Sequence, residues 1–241
     1  MSSLTPNPLD YPRCSSQEGV ITLAKPRQAR LTAAEVGLLQ ELDDESPNLW
    51  PADLNEVARK LLTSAVRCFA SNGFHGTTTR DIPGMVGLSP AALYVYFPSK
   101  ERVLFELIRT GHEKALDYVR APAIQHLGDA AERLRVIVSR YTEWHARHHV
   151  IARVCQYDLA SLSVEHYNDI LELRHQTNAV FRGAVQQGVD DGTFATVDVN
   201  RVARAMLSLG IDLVRWYRRD GSETPEQLGR SNADLALKMV A

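Results

Sequence analysis

The sequence predicts an all-α protein, and three observations carry that prediction. Apolar residues recur at i, i+3 and i+4 along most of the chain. Helix-start signatures recur ahead of those runs: Thr32 with Glu35, Asp53 with Glu56, Thr78 with Asp81, Ser89 with Pro90, Ser99, and Thr224 with Pro225 and Gln227. No stretch alternates apolar and polar residues long enough to read as a strand.

The elements follow in order. Residues 1 to about 30 carry Pro6, Pro8, Pro12, Pro26 and many serines, a loop or disordered composition. The basic cluster Lys25, Arg27 and Arg30 within it reads either as an arm for phosphate contacts or as a solvated tail. A short helix is expected near 32–44, with Leu31 and Val36 as a hydrophobic staple. Glu41, Asp43, Asp44 and Glu45 crowd its C-terminal end, which the helix dipole disfavours. The next helix is expected from about Leu54 to Ser71, capped by Asp53, with Leu54, Val57, Ala58, Leu61, Ala65 and Phe69 inward. Asn72 and Gly73 close it.

Thr77 to Lys100 reads as two short helices about a tight turn. Thr78 and Asp81 open the first; Gly87 supplies the turn and Leu88 an apolar plug. Ser89 and Pro90 open the second, which is small at its start (Ala91, Ala92) and aromatic at its end (Tyr94, Tyr96, Phe97). Pro98 stops it and Ser99 caps the next helix. In a helix-turn-helix the first helix braces the second, whose N-terminal residues meet base edges in the major groove. A helical hairpin inside an ordinary all-α domain has the same spacing.

A longer helix is expected from Lys100 to about Val119, with Gly111 interrupting it. Further helices read at about 130–147, 150–161, 164–189, 199–219 and from Thr224 to about Val240, with a turn at Asp191-Gly192.

At 241 residues the chain can bury a substantial core, and 44% hydrophobic with 23% charged residues is ordinary for a globular protein. No apolar run approaches the length of a membrane span and the N-terminus lacks a signal-peptide pattern, so a cytoplasmic protein is expected. Cys14, Cys68 and Cys155 are far apart and form neither a disulfide frame nor a metal motif. The net charge of −2 does not announce a nucleic-acid binder. Between Asn55 and Lys100, however, five basic residues stand against two acidic ones.

Phe69, Gly73, Thr77 to Thr79, Asp81, Ile82, Gly87 to Ser89, Leu93, Tyr94, Phe97 and Ser99 to Glu101 together resemble the DNA-binding domain of the TetR family of transcriptional regulators. Pro83 stands where that family usually has alanine, and Val95 where it often has a second tyrosine or another polar residue. The resemblance implies an N-terminal extension over 1–49, a helix-turn-helix domain over 50–99, and a ligand-binding and dimerisation domain over 100–241. It implies a homodimer on a palindromic double-stranded operator. Thr79, Ser89, Ala91, Ala92, Tyr94, Tyr96 and Lys100 would face DNA; Thr79, Tyr94 and Lys100 would touch phosphates. It further implies a repressor released by a small hydrophobic effector, with an acyl-CoA among the candidates. The helices at 164–189 and 199–219 would form the dimer contact, the first offering Ile170, Leu173, Thr177, Val180, Ala184 and Gly188 and the second Val199, Val202, Ala203, Met206, Leu207, Gly210, Ile211 and Val214; ordinary intramolecular core is the alternative reading of the same faces.

Tyr141, Trp144, His145, His148, Tyr157 and Phe181 are the candidate ligand-binding residues, because aromatic walls with a few polar tips suit a small-molecule pocket. Ordinary core packing accounts for each of them equally well. His145 and His149, four apart on an expected single helix, have metal-ligand spacing, but neither an intervening HExxH glutamate nor a third ligand accompanies them, so no metal is expected. No cofactor loop and no nucleophile motif is present, so no enzyme is expected. The competing reading is a helical interaction protein without sequence-specific DNA binding.

Overall fold

The computed structural model describes residues 49–121, 124, 128–195 and 198–241. The expected arm and the helix near 32–44 lie outside them, as does Cys14. Among the described residues there is no strand. The helices are α1 (Glu56–Gly76), α2 (Asp81–Met85), α3 (Pro90–Tyr96), α4 (Lys100–Arg120), α5 (Ala130–Arg147), α6 (His149–Tyr157), α7 (Val164–Asp190), α8 (Val199–Ile211), α9 (Leu213–Trp216) and α10 (Pro225–Lys238). A 3₁₀ turn, Leu159–Ser161, links α6 to α7.

Most expected boundaries hold, and the departures have local causes. Asn55, not Asp53, caps α1, its side chain accepting from Val57 N–H at 2.8 Å. Gly73 sits at φ +67°, where L side chains are strained, and kinks α1 instead of ending it; the helix runs on to Gly76. Pro83 causes no kink in α2. It is the third residue of the helix, where a backbone N–H would have no helical acceptor. Thr78 and Asp81 exchange the two expected bonds, Thr78 N–H to Asp81 Oδ2 at 2.7 Å and Asp81 N–H to Thr78 Oγ1 at 3.3 Å. Gly87, at φ +71°, makes the turn. The capping box of Thr224 and Gln227 opens α10.

Two apolar cores are built from these helices. The first joins α1–α3 to α4 and α6 through Leu61, Phe69, Ile82, Leu93, Leu104 and Ile151. Trp50 pins the start of the described chain to it, its indole N–H donating to Thr63 Oγ1 at 2.9 Å. The second lies among α4, α5, α7, α8 and α10 and includes Leu116, Ile137, Phe181, Val185 and Met206. Helix α4 enters both. Its first half packs under the helix-turn-helix and its last turns pack in the larger bundle, so it is the mechanical link between them.

Gly111 does not interrupt α4. It lets α6 approach: a Cβ there would lie 2.8 Å from Cys155 Sγ. Several of the residues expected at a dimer contact are likewise spent inside the monomer. Ile170, Ala184, Ala203 and Met206 are buried in the two cores. A Cβ on Gly188 would meet the Phe194 ring at 2.1 Å, and one on Gly210 the Tyr141 ring at 2.6 Å. Ala179 and Arg182 on α7 and Arg204, Ala205 and Ser208 on α8 are what these helices present outward.

Candidate functional site

Leu93 is fully buried on one side of α3 and anchors it against α1 and α2. The opposite side is left in solvent. Tyr94 is 54% exposed and Val95 74%, and Ser89, Ala91 and Tyr96 are also exposed. Ala92 and Thr79 are half-buried at the edge of this surface. Three bulky side chains in water on a seven-residue helix are available to a partner. Small residues at the N-terminal end of α3 let its backbone approach that partner closely. Ser89 caps α3 without accepting a side-chain bond from the helix, so its hydroxyl is available to an outside donor or acceptor.

Lys100, expected at a phosphate, makes two bonds inside the fold. Its Nζ donates to Phe74 O and Thr77 O, both at 2.6 Å, and lies 4.2 Å from the Phe74 ring centre. Burial lowers its pKa, against the pull of Asp81 and Asp158. Lys100 therefore closes the open carbonyls at the end of α1.

Around that lysine the helix-turn-helix is fastened to the larger bundle. Asp158, just past α6, accepts from Phe74 N–H at 3.1 Å, and burial raises its pKa. One helix along, Glu101 accepts from Ser163 N–H at 2.9 Å and from His166 Nδ1 at 2.8 Å, while the Arg102 guanidinium lies 3.3 Å from His166 Nε2. The arginine can only donate, so Nε2 carries the lone pair and Nδ1 the proton. The imidazole stacks on Phe105 with ring centres 3.9 Å apart. The sequence offered no signal for Asp158 or His166, because both partners lie more than 60 residues away.

Among the described residues, four of the six expected at an aromatic-walled pocket are buried in the interior of the larger bundle. Tyr141, Trp144, His145 and Phe181 are buried and fill their own space, Tyr141 meeting Phe181 edge-on at 5.1 Å and His145 at 4.3 Å. His148 is half-buried beside Trp144. Tyr157 is 57% exposed and lines a separate surface groove with Ser208, Ile211 and Arg215. The six residues are thus spread between the buried interior and a surface groove, because the 3.6-residue period that places them cannot say what they meet. His145 and His149 are not on one helix either: the break at His148 separates α5 from α6. Among the described residues no three His, Cys, Asp or Glu come together as a metal site.

His145 Nδ1 donates to Tyr141 O and His112 Nδ1 to Ile108 O, both at 2.9 Å. Burial holds each imidazole at a pKa of about 4, below the ordinary 6.5; those carbonyls oppose the shift, and for His112 the Arg174 charge adds to it. The unfolded chain therefore binds two protons that the folded one refuses. Stability from these two groups is full above about pH 6.5 and drains as the pH falls toward 4. Thermal melts between pH 7.5 and 4 are expected to show this slope, and His145→Gln is expected to reduce it. Burial also raises the thiols of Cys155, to about 12, and Cys68, to about 11, which leaves both unreactive.

Residues 61–107 match the model of the tetR family of bacterial regulatory proteins, and residues 127–240 that of the tetracyclin repressor-like C-terminal domain. The HTH-type transcriptional repressor KstR2 of Mycolicibacterium smegmatis is 30% identical over 183 residues, covering 74% of this chain and 87% of that protein. A tetR-family regulatory protein from Rhodococcus RHA1 is similar in structure with a TM-score of 0.74 at 34% identity, over 78% of this chain and 98% of that one. KstR2 of Mycobacterium tuberculosis, a ketosteroid transcriptional regulator, gives 0.71 at 27% identity, over 78% and 97%.

Proposed function

Since the chain belongs to the TetR family of bacterial transcriptional regulators, we propose that it is a repressor that binds a two-fold operator as a homodimer and is released by a small apolar effector. The observation that carries this reading is the α3 surface, where Ser89, Ala91, Tyr94, Val95 and Tyr96 stand free around a buried Leu93. Ala91 and Ala92 meet base edges or thymine methyls. Tyr94 and Thr79 reach phosphate oxygens, and Val95 adds an apolar contact. One α3 reads only a few base pairs, so a second copy related by a two-fold axis supplies the other half-site. The outward faces of α7 and α8, with small Ala179, Ala205 and Ser208, suit close helix packing between two copies.

The effector acts through α4, whose ends lie in different cores. A ligand that binds better to one position of α4 shifts the population toward that position and changes the spacing of the two α3 helices. The ketosteroid regulator among the relatives favours an apolar, lipid-like effector, and acyl-CoA thioesters are the first compounds to screen.

Binding to DNA upstream of the protein's own gene, titrated with salt, tests this reading. A sequence-specific complex with a steep salt slope and two protomers per site is the expected result. Tyr94→Ala is expected to weaken binding about tenfold across all sequences with the melting temperature unchanged, as loss of a phosphate contact does. Equal affinity in wild type and variant would remove α3 from the interface.

A further inference from the structure

Helix α6 shares the first core with α1, its Val150, Ile151 and Val154 lying there with Leu61, Leu62 and Phe69. An apolar contact of this kind is non-directional and sets no angle by itself. A directional bond stands at its end. Gly73, at φ +67° and ψ 169°, takes α1 off the helical path just ahead of Phe74. The Phe74 N–H is donated to Asp158 Oδ1 at 3.1 Å, across 84 residues of chain. The approach is close: a Cβ on Gly73 would lie 3.8 Å from that same oxygen. From the other side Lys100 Nζ holds Phe74 O at 2.6 Å, and Ser161 Oγ lies 3.5 Å from His75 Nε2. Thr77, whose hydroxyl donates to Gly73 O at 2.9 Å and to Cys68 O at 3.0 Å, ties the chain leading into α2 to the same joint. Half-burial costs the Asp158 carboxylate solvation, which the Phe74 N–H, His75 and Lys100 offset only in part. An apolar residue would fill the place without that cost.

We propose that Asp158 is a positioning residue for operator recognition: its bond to the Phe74 N–H fixes the angle between the helix-turn-helix and the larger bundle, and through that angle the half-site spacing that the dimer accepts. The proposal rests on the reading of the chain as a homodimer on a two-fold operator. In such a dimer the bundle of each copy is the fixed frame and the helix-turn-helix is the arm, so the two α3 helices are only as well spaced as each arm is held. The apolar face of α6 holds the arm against the bundle. The bond at Asp158 gives that contact a single register, because a hydrogen bond weakens steeply once its angle is lost. Removing it leaves each reading head folded and its base contacts intact, but lets the pair tolerate half-sites at the wrong separation.

The test uses the full chain and an operator that it selects from a pool of random duplexes. Affinity is measured for that operator, for a lone half-site, and for a series in which the half-sites are moved apart or together one base pair at a time. Wild type is expected to lose about tenfold or more at the first wrong spacing, because one base pair adds about 3.4 Å of rise and about a tenth of a turn. In Asp158→Ala that loss is expected to shrink to about threefold or less, with half-site affinity within about twofold of wild type. Asp158→Asn keeps an oxygen that can accept from the Phe74 N–H and is expected to restore the wild-type profile. Wild-type spacing selectivity in Asp158→Ala would overturn the proposal. So would a half-site affinity that falls as far as the operator affinity, since Asp158 would then support the reader's own fold. A wild type that selects an operator yet accepts every spacing also overturns it and leaves the repressor reading standing. A wild type that selects no sequence overturns that reading, and the proposal with it.

Discussion

Phe181→Ala is expected to lower the free energy of unfolding by about 3–5 kcal/mol, the cost of emptying a fully buried aromatic site. Phe181 is 0% exposed and stands edge-on to Tyr141, with Val185, Met206 and Ala184 in the same core. Helices α5, α7 and α8 converge there and cannot close a cavity of that size without shifting. Denaturant melts read the loss directly. The same variant separates the two meanings of an inward aromatic residue. A wall of a ligand pocket would give a large change in effector affinity and a small one in stability. Phe181 as packed should give the reverse, with operator affinity preserved in whatever fraction remains folded.

Lys100→Met is the second large effect. Methionine keeps much of the apolar stem and removes the ammonium that closes Phe74 O and Thr77 O. Thr77 O then loses that donor and Phe74 O keeps only the long bond from Thr77 N–H, at 3.4 Å, a loss of about 1–3 kcal/mol. Because the end of α1 positions Thr77, Thr78 and hence α2, operator affinity is expected to fall as well. The salt dependence decides the cause. A lysine on a phosphate would reduce the slope of log affinity against log salt by about one when removed. Lys100 as bonded here should leave that slope unchanged while the melting temperature drops. A lowered slope with unchanged stability would return Lys100 to the DNA surface.

Local chemistry in this chain is read well from residues a few positions apart. The capping pairs Thr78 with Asp81 and Thr224 with Gln227 form as spaced, because a cap needs nothing beyond its own helix turn. Ser89-Pro90 and Ser99 start α3 and α4 where expected, and Gly87 takes the positive φ the turn requires. The outward side of α3 came from the family resemblance, and in the structure Leu93 is the one fully buried residue of that helix.

Lys100, Gly188 and Phe181 show where that reading stops. A basic residue at the end of a helix-turn-helix is equally suited to a phosphate or to the carbonyls of a kinked helix, and here Phe74 O and Thr77 O lie within its reach. Small residues on α7 and α8 suit a second copy of the chain or a neighbouring ring, and Phe194 and Tyr141 settled that for Gly188 and Gly210. The inward aromatics of α5 suit a ligand or one another, and the crossing of α7 and α8 made it one another. By itself, then, the sequence determined the helical class, the turn and several helix starts, all consequences of hydrogen bonds and periodicity within a few residues. Only the tertiary structure decided which inward faces meet each other and which polar groups fasten the two cores. Those outcomes depend on side chains brought together from distant parts of the chain, and helical periodicity gives a residue its face but not its neighbour.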